Sequence, residues 1–220
     1  FLGKVEDWDE AEAALTKVLN KWKEQEKKKW TLNPEDGAFY GPKIDITVYD
    51  ALGRSFQCAT VQLDFQLPIR FKLSYVKSDG QKETPVIVHR AIMGSFERMI
   101  AILTEHFAGK WPLWLSPKQV MVVPISGASV DYALGIKKAF HEKKFFVECD
   151  VRDLTMQKKV RDAQINQFNY ILVVGAQEQE NETVNVRTRN NKVCGEKKVA
   201  EVLQLLCRER DEKLLEAVMG

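Results

Sequence analysis

At 220 residues, with 45% hydrophobic and 29% charged side chains, the chain can bury a real core and falls outside the disordered, collagen-like and low-complexity classes. Its 33 lysines and arginines nearly balance 31 aspartates and glutamates, giving a net charge of +2. A strongly basic nucleic-acid coat is excluded, and any RNA contact must be a local, salt-sensitive patch. Residues 1–117 carry 16 basic and 16 acidic side chains and 118–220 carry 17 and 15, so the small excess lies in the second half. Cys58, Cys149, Cys194 and Cys207 show neither zinc-ribbon spacing nor the density of a secreted scaffold, and read as reduced, cytosolic thiols. No apolar run approaches the ~20 residues that span a bilayer. The acidic start, with Glu6, Asp7, Asp9 and Glu10, is unlike a signal peptide. These features lead to the expectation of a cytoplasmic protein. The opening Phe1-Leu-Gly, in mid-pattern before a helix, is expected to be a cut and not a natural start.

Over residues 8–29, Trp8, Ala11, Leu15, Val18, Leu19 and Trp22 recur at helical spacing, and the segment ends in Lys27-Lys-Lys29. That run is either a water-facing helix end or a contact for RNA. Asn33-Pro-Glu-Asp-Gly37 is turn chemistry. From Phe39 the period becomes two. Ile44, Ile46 and Val48 mark one strand, a turn near Asp50-Ala-Leu-Gly53 leads to a second from Phe56 to Leu63, and Phe71, Leu73 and Tyr75 mark a third. Ser78-Asp-Gly80 turns into a fourth over residues 85–88. Such short connections require mostly antiparallel pairing. A helix with Phe96, Met99, Ile100, Leu103 and Phe107 follows, so the first domain, 1–108, is expected to be α+β.

Residues 109–117, with two prolines, Gly109, Trp111 and Trp114, read as a linker pinned between domains. Beyond it strands at 120–123, 145–149 and 170–174 alternate with helices at 130–142 and 155–168. A strand at 183–188, a turn at Asn190-Asn191 and a closing helix over 197–218 follow. Alternation of this kind predicts a largely parallel α/β sheet for the second domain, 118–220.

The α/β half has no G-x-G-x-x-G and no Walker loop, and Ser126-Gly-Ala-Ser129 reads better as a tight turn than as a phosphate loop. Its polar residues gather at strand ends and in loops, where open α/β sheets bind ligands. Arginines mixed with acids there suit phosphates and base edges. In the first half Tyr40, Lys43, Gln57, Gln62, His89, Ser95 and Arg98 stand among apolar neighbours, an inventory that suits a pocket for a small polar ligand and a nucleotide. Gln57 and Gln62 would face opposite sides of an ideal strand, so either a bulge realigns them or they serve different ligands. The junction from Pro85 to Arg98 offers a helix start at Gly94 and Ser95 with a guanidinium one turn later, a place to hold a nucleotide.

Asp36-Gly-Ala-Phe-Tyr-Gly-Pro-Lys-Ile-Asp45, Gln57-Cys-Ala-Thr-Val-Gln-Leu-Asp-Phe65 and His89-Arg-Ala-Ile-Met-Gly-Ser-Phe-Glu-Arg98 together resemble the threonyl-tRNA synthetase family. The resemblance continues through Trp114-Leu-Ser-Pro117, Val186-Arg-Thr-Arg189 and Gly195-Glu-Lys-Lys198. It implies part of a class II aminoacyl-tRNA synthetase core, an α+β antiparallel-sheet fold, followed by a class IIa anticodon-binding domain with a mainly parallel mixed sheet. The implied activity is a threonine–tRNA ligase that forms threonyl adenylate from threonine and ATP with magnesium and transfers the acyl group to tRNA(Thr). The alternative is a non-catalytic anticodon-binding module.

By position the resemblance makes Arg98 the motif-three arginine that engages ATP. Tyr40, Lys43, Gln57 and Gln62 would line the threonine and ATP pocket, with Ser95 beside it. His89 would be one of three protein ligands of a zinc ion, a metal whose open position could take both the amino group and the hydroxyl of threonine. Asp153, Arg161, Glu178 and Arg187 would contact the anticodon, with Asp153 at a position where other members can carry Asn. The family's first two motifs and its other two zinc ligands are expected upstream of residue 1, and Cys58 is no evident substitute. The 220 residues alone are therefore expected to be nearly inactive. The intact family is dimeric through its catalytic domain, and no membrane partner is expected.

Overall fold

The computed structural model describes residues 2–34, 36–50 and 52–219; Glu35 and Ala51, in the expected turns 33–37 and 50–53, and Phe1, at the expected cut, lie outside them. The chain divides into two compact units, residues 1–106 and 107–220.

The first unit opens with α1, Val5–Glu26, ended by Lys27 in the left-handed conformation. Ala11 is its buried residue, and Trp8 packs edge-on against Phe65. Strands β1, Lys43–Tyr49, and β2, Ser55–Asp64, form an antiparallel hairpin. The Asp50 carboxylate closes its turn by accepting from the N–H groups of Leu52 and Arg54, each at 2.9 Å. Of the expected third strand over Phe71, Leu73 and Tyr75, only Tyr75–Val76 is extended, and it pairs with neither β1 nor β2. Ahead of it Gln66–Arg70 is a short helix, α2, because the Asp64 carboxylate accepts from the N–H groups of Gln66 and Leu67 and Pro68 is tolerated in a first turn. Tyr75–Val76 (β3) and Lys82–Glu83 (β4) make a separate hairpin around Gly80. Strand β5 runs Ile87–Ala91, beginning and ending later than the alternation suggested. It pairs antiparallel with β2, so the sheet order is β1-β2-β5. Helix α3, Phe96–His106, contains no buried residue, and Phe96 is 82% exposed.

The second unit begins with a 3-10 turn, Leu113–Leu115, whose Leu113 is fully buried. Strand β6 is Val120–Pro124, helix α4 Val130–Glu142, strand β7 Val147–Cys149, helix α5 Met156–Ile165 and strand β8 Tyr170–Val174. Helix α6, Ala176–Asn181, and strand β10, Val193–Lys198, were not foreseen; β10 pairs with β9, Thr183–Thr188, and delays the closing helix α7 to Val199–Asp211. The order is β10-β9-β8-β6-β7, with β6 parallel to both neighbours and β8–β9 and β9–β10 antiparallel. One face buries Val120, Val122, Tyr170 and Leu172 beneath α4 and α7; the other buries Met121, Val123, Ile171 and Val173 beneath α5. The residues of β6 and β8 are buried throughout, as a strand covered on both faces requires. No helix of the described residues is long and apolar enough to cross a membrane.

Candidate functional site

The first unit places its polar residues on one face of β1-β2-β5, and a bulge is what makes that possible. Ile46 pairs with Ala59 but Thr47 pairs with Gln57, so Cys58 is the extra residue in β2. Directly opposed residues share a face. Lys43 opposes Gln62, Asp45 opposes Thr60, Thr47 opposes Gln57 and Gln62 opposes His89, so Gln57 and Gln62 lie on the same face.

Asp45 is the hub of this face. Its Oδ1 accepts from Gln57 Nε2 at 2.7 Å and Thr60 Oγ1 at 2.6 Å, while Lys43 Nζ lies 2.7 Å from Oδ2. Burial alone would push this carboxyl up, but the hydrogen bonds from Lys43, Thr60 and Gln57 and the lysine charge hold it below its ordinary value. Lys43 and Gln57 are thereby fixed in orientation. Asp45, Thr60 and Asp64 were missed as site residues, although each is a polar side chain in a strand with apolar neighbours, the same signal that marked Gln57 and Gln62.

At the other end of the face a cavity of about 540 Å³ brings together Tyr40, Gln62 and His89, with Arg70 of α2 also on its wall. Gly41 seats the Tyr40 turn against β2, since a Cβ at that position would lie 2.1 Å from the Leu63 carbonyl oxygen. His89 Nε2 lies 2.9 Å from Oδ2 of the buried Asp64. Burial raises Asp64, but the N–H of Leu67, then His89 and the N–H of Gln66, more than compensate and hold it ionised. A histidine whose second ring nitrogen is held by a carboxylate suits metal ligation. Among the described residues, however, no group of three or more His, Cys, Asp or Glu could hold a metal ion. One histidine backed by one carboxylate falls short of three protein ligands, so these residues do not by themselves fit the expected zinc.

Ser95 and Arg98 lie at the opposite end, over the bulge. Ser95 Oγ accepts from the Arg98 N–H at 3.3 Å, and Arg98 Nη1 donates to the Gln57 carbonyl at 3.1 Å. The remaining guanidinium N–H groups of this exposed side chain are left to reach an anion. The face can thus receive polar groups along its length, with a cation at the Gln57 end and a cavity at the His89 end.

In the second unit the four expected residues spread from the carboxyl edge of the parallel strands onto the α5 face. Asp153 is exposed in the loop after β7, which Arg152 stiffens by donating to both oxygens of Asp150, at 2.8 and 2.7 Å, and to Asp162 at 3.0 Å. Glu178 follows β8, and its Oε2 accepts from the Gly175 N–H at 2.9 Å, so one carboxylate oxygen caps α6. Arg161 is exposed on α5. Arg187 opposes Ile171 and therefore faces the α5 side of the sheet; its Nε is buried with no hydrogen-bond partner among the described residues. Two arginines and two acids offer donors and acceptors to base edges and donors to phosphates.

Residues 5–107 match the tRNA synthetase class II core domain (G, H, P, S and T), and residues 119–209 match the anticodon binding domain. Over 94% of its length the chain is 58% identical to threonine–tRNA ligase 1, cytoplasmic, of Rattus norvegicus, and over 96% it is 54% identical to the cytoplasmic threonine–tRNA ligase of Caenorhabditis elegans. It spans 29% of the length of each of these curated relatives. Among solved structures, the RNA binding domain of threonyl-tRNA synthetase from Cryptosporidium parvum superposes with a TM-score of 0.81 at 42% identity, covering 100% of this chain and 54% of that one. A putative threonyl-tRNA synthetase from Aeropyrum pernix gives 0.67 at 25% identity, covering 99% and 53%. With both halves matched and identity sustained across nearly the whole sequence, the chain belongs to the threonyl-tRNA synthetase family.

Proposed function

We propose that the chain is part of a threonine–tRNA ligase that activates threonine with ATP and magnesium and transfers the acyl group to tRNA(Thr) in cytoplasmic translation. Residues 1–108 contribute to the catalytic core, 109–117 connect, and 118–220 bind the anticodon. The observation that carries this reading is the single polar face of β1-β2-β5. The bulge at Cys58 aligns Gln57 with Thr60, Gln62 and His89, and Arg98 stands at one end of the row.

On this reading Arg98 grips ATP phosphates while Gln57, held by Asp45, and Gln62 orient the substrates beside Tyr40, Lys43 and Ser95. Such positioning and charge stabilisation at the phosphate are the chemistry adenylate formation needs. His89, oriented by Asp64, contributes one ligand to a zinc ion that needs further donors than the described residues supply. Asp153, Arg161, Glu178 and Arg187 read the anticodon, and the enzyme works as a homodimer.

A second reading, a non-catalytic RNA-binding module, draws on the distribution of core. Ala11 and Cys58 are the buried hydrophobic residues of the first unit among those described, whereas the second unit holds two buried clusters. One pair of variants separates the readings. In a ligase containing this chain, Arg98→Ala should lower threonine-dependent ATP–pyrophosphate exchange by about 100-fold or more and leave tRNA binding intact. Arg187→Ala should weaken tRNA binding by about 10-fold or more. Exchange that survives Arg98→Ala overturns the catalytic reading, and tRNA binding that depends on Arg187 with no exchange in the wild type favours the module.

A further inference from the structure

We propose that the carboxyl-terminal end of α1 and the lysine run after it form an RNA-docking surface distinct from the anticodon face, one that takes the phosphate backbone of the tRNA acceptor arm. The inference rests on the reading of the chain as part of a tRNA ligase and adds a contact to it.

Charge along α1 is segregated. Residues 4–16 contain one lysine and five acids, whereas 17–29 contain six lysines, at 17, 21, 23, 27, 28 and 29, and two acids. All six lysines are exposed, and none has an ion-pair partner among the described residues. The chain also doubles back here. Lys27 takes a φ of 53° as the helix ends, and Trp30 Nε1 donates to Asn20 Oδ1 at 3.2 Å. Asn20 lies six residues before the helix end, about 9 Å along the axis. Residues 28 and 29 are therefore folded beside the last turns that carry Lys21 and Lys23. A run that looks linear in sequence becomes a patch in space.

Helix electrostatics do not account for it. Cations stabilise the carboxyl end of a helix only within its last turn, and Lys17 and Lys21 lie before that turn. They also stand four apart, a like-charge spacing that weakens a helix. Glu24 and Glu26 form no ion pair with the cluster, so it is not neutralised from within.

RNA fits this pattern better than an anionic membrane. A helix lying on lipid would press its acidic first half against the same negative surface, whereas a nucleic-acid strand can cross the basic end alone. The unit that carries α1 also carries the polar face to which the 3′ end of a tRNA must come.

The test uses the 220-residue chain and the triple variant Lys21→Glu, Lys28→Glu, Lys29→Glu, with the three positions as arginine in a second variant. The probes are an acceptor-arm minihelix, an anticodon stem-loop and phosphatidylserine vesicles, with both RNAs titrated across a salt series. The glutamate variant should bind the minihelix at least about tenfold more weakly, and its slope of log affinity on log salt should fall by about 2 to 3. Stem-loop binding should stay unchanged and the arginine variant should restore the minihelix. These positions are exposed, so circular dichroism should be unaltered. Unchanged minihelix affinity and slope beside normal stem-loop binding overturn this proposal alone. Loss confined to vesicle binding overturns it in favour of lipid, and failure of the wild type to bind either RNA overturns it together with the tRNA reading.

Discussion

Gly94 lies so close over Cys58 that a Cβ built at Gly94 would stand 2.8 Å from the Cys58 carbonyl oxygen. Gly94 has a φ of 65°, and four residues on Arg98 donates to the neighbouring Gln57 carbonyl. The strand-to-helix junction is thus clamped onto the bulge that aligns the polar face. Gly94→Ala adds a side chain in a strained conformation and a backbone clash. It should destabilise the first unit by about 2–3 kcal/mol in urea unfolding. It should also weaken ATP binding in a ligase containing this chain, since Arg98 moves with the junction. A variant with wild-type stability would show that the junction yields without cost.

The Asp45 hub sets a pH dependence. Partial burial acts to raise its pKa, but the hydrogen bonds from Lys43, Thr60 and Gln57 and the lysine charge bring it below the ordinary 3.8. A carboxyl depressed in the folded state contributes stability that is present above its unfolded pKa and lost as pH falls through the folded one. Urea midpoints of the first unit should therefore fall as pH drops below about 4, and Asp45→Asn should flatten that part of the profile. Parallel profiles for the two proteins would remove Asp45 as the source.

Glu178 has two roles to separate. One oxygen caps α6 through the Gly175 N–H, and the proposed base contact needs the charge or the second oxygen. Glu178→Gln keeps an acceptor for the cap, so it should leave stability within about 0.5 kcal/mol and alter RNA preference. Glu178→Ala should also cost about 1 kcal/mol of stability, as a lost cap does. Thermal melts with stem-loop binding on both variants decide. Equal RNA binding by wild type and glutamine variant would confine Glu178 to capping.

Legibility in the sequence followed the range of the forces involved. The helix over Val130–Glu142 was readable because its apolar residues recur at helical spacing, and the strand over Tyr170–Val174 because it is a short unbroken apolar run, buried at every position. The helix Gln66–Arg70 was not, because five residues with Pro68 at their centre carry no helical period and the decisive contact is the Asp64 side chain on two backbone N–H groups. Strand Val193–Lys198 was hidden for another reason: it is an edge strand of polar and small residues held by its pairing with Thr183–Thr188. At the site, Gln57 and Gln62 were identifiable as polar strand residues, but which face each took depended on the bulge. Cys58 carries no bulge signal of its own, and the register that places it appears only once Thr47 meets Gln57.

The second unit contains a carboxyl whose pH dependence should have the opposite sign to that of Asp45. Glu209 is 2% exposed, and its Oε2 accepts from the Tyr170 hydroxyl at 2.5 Å and the Val218 N–H at 3.1 Å. Burial pushes its pKa up, and the bonds from Tyr170 and Val218 and the Arg189 charge offset that only in part. The raised folded pKa means that the native state holds its proton more tightly than the unfolded chain does. Stability contributed by this group must then decline as pH rises from the ordinary 4.5 through the folded value. Glu209→Gln retains an acceptor for both donors and abolishes the titration, so the slope above pH 4.5 should flatten and stability at neutral pH should change by no more than about 1 kcal/mol. Glu209→Ala leaves the Tyr170 hydroxyl and the Val218 N–H unpaired in the interior and should cost about 2–4 kcal/mol. Urea unfolding of the three proteins between pH 4.5 and 8 measures both effects. A glutamine variant as unstable as the alanine one would show that the ionised carboxylate, and not an acceptor of its shape, holds the closing segment of the unit.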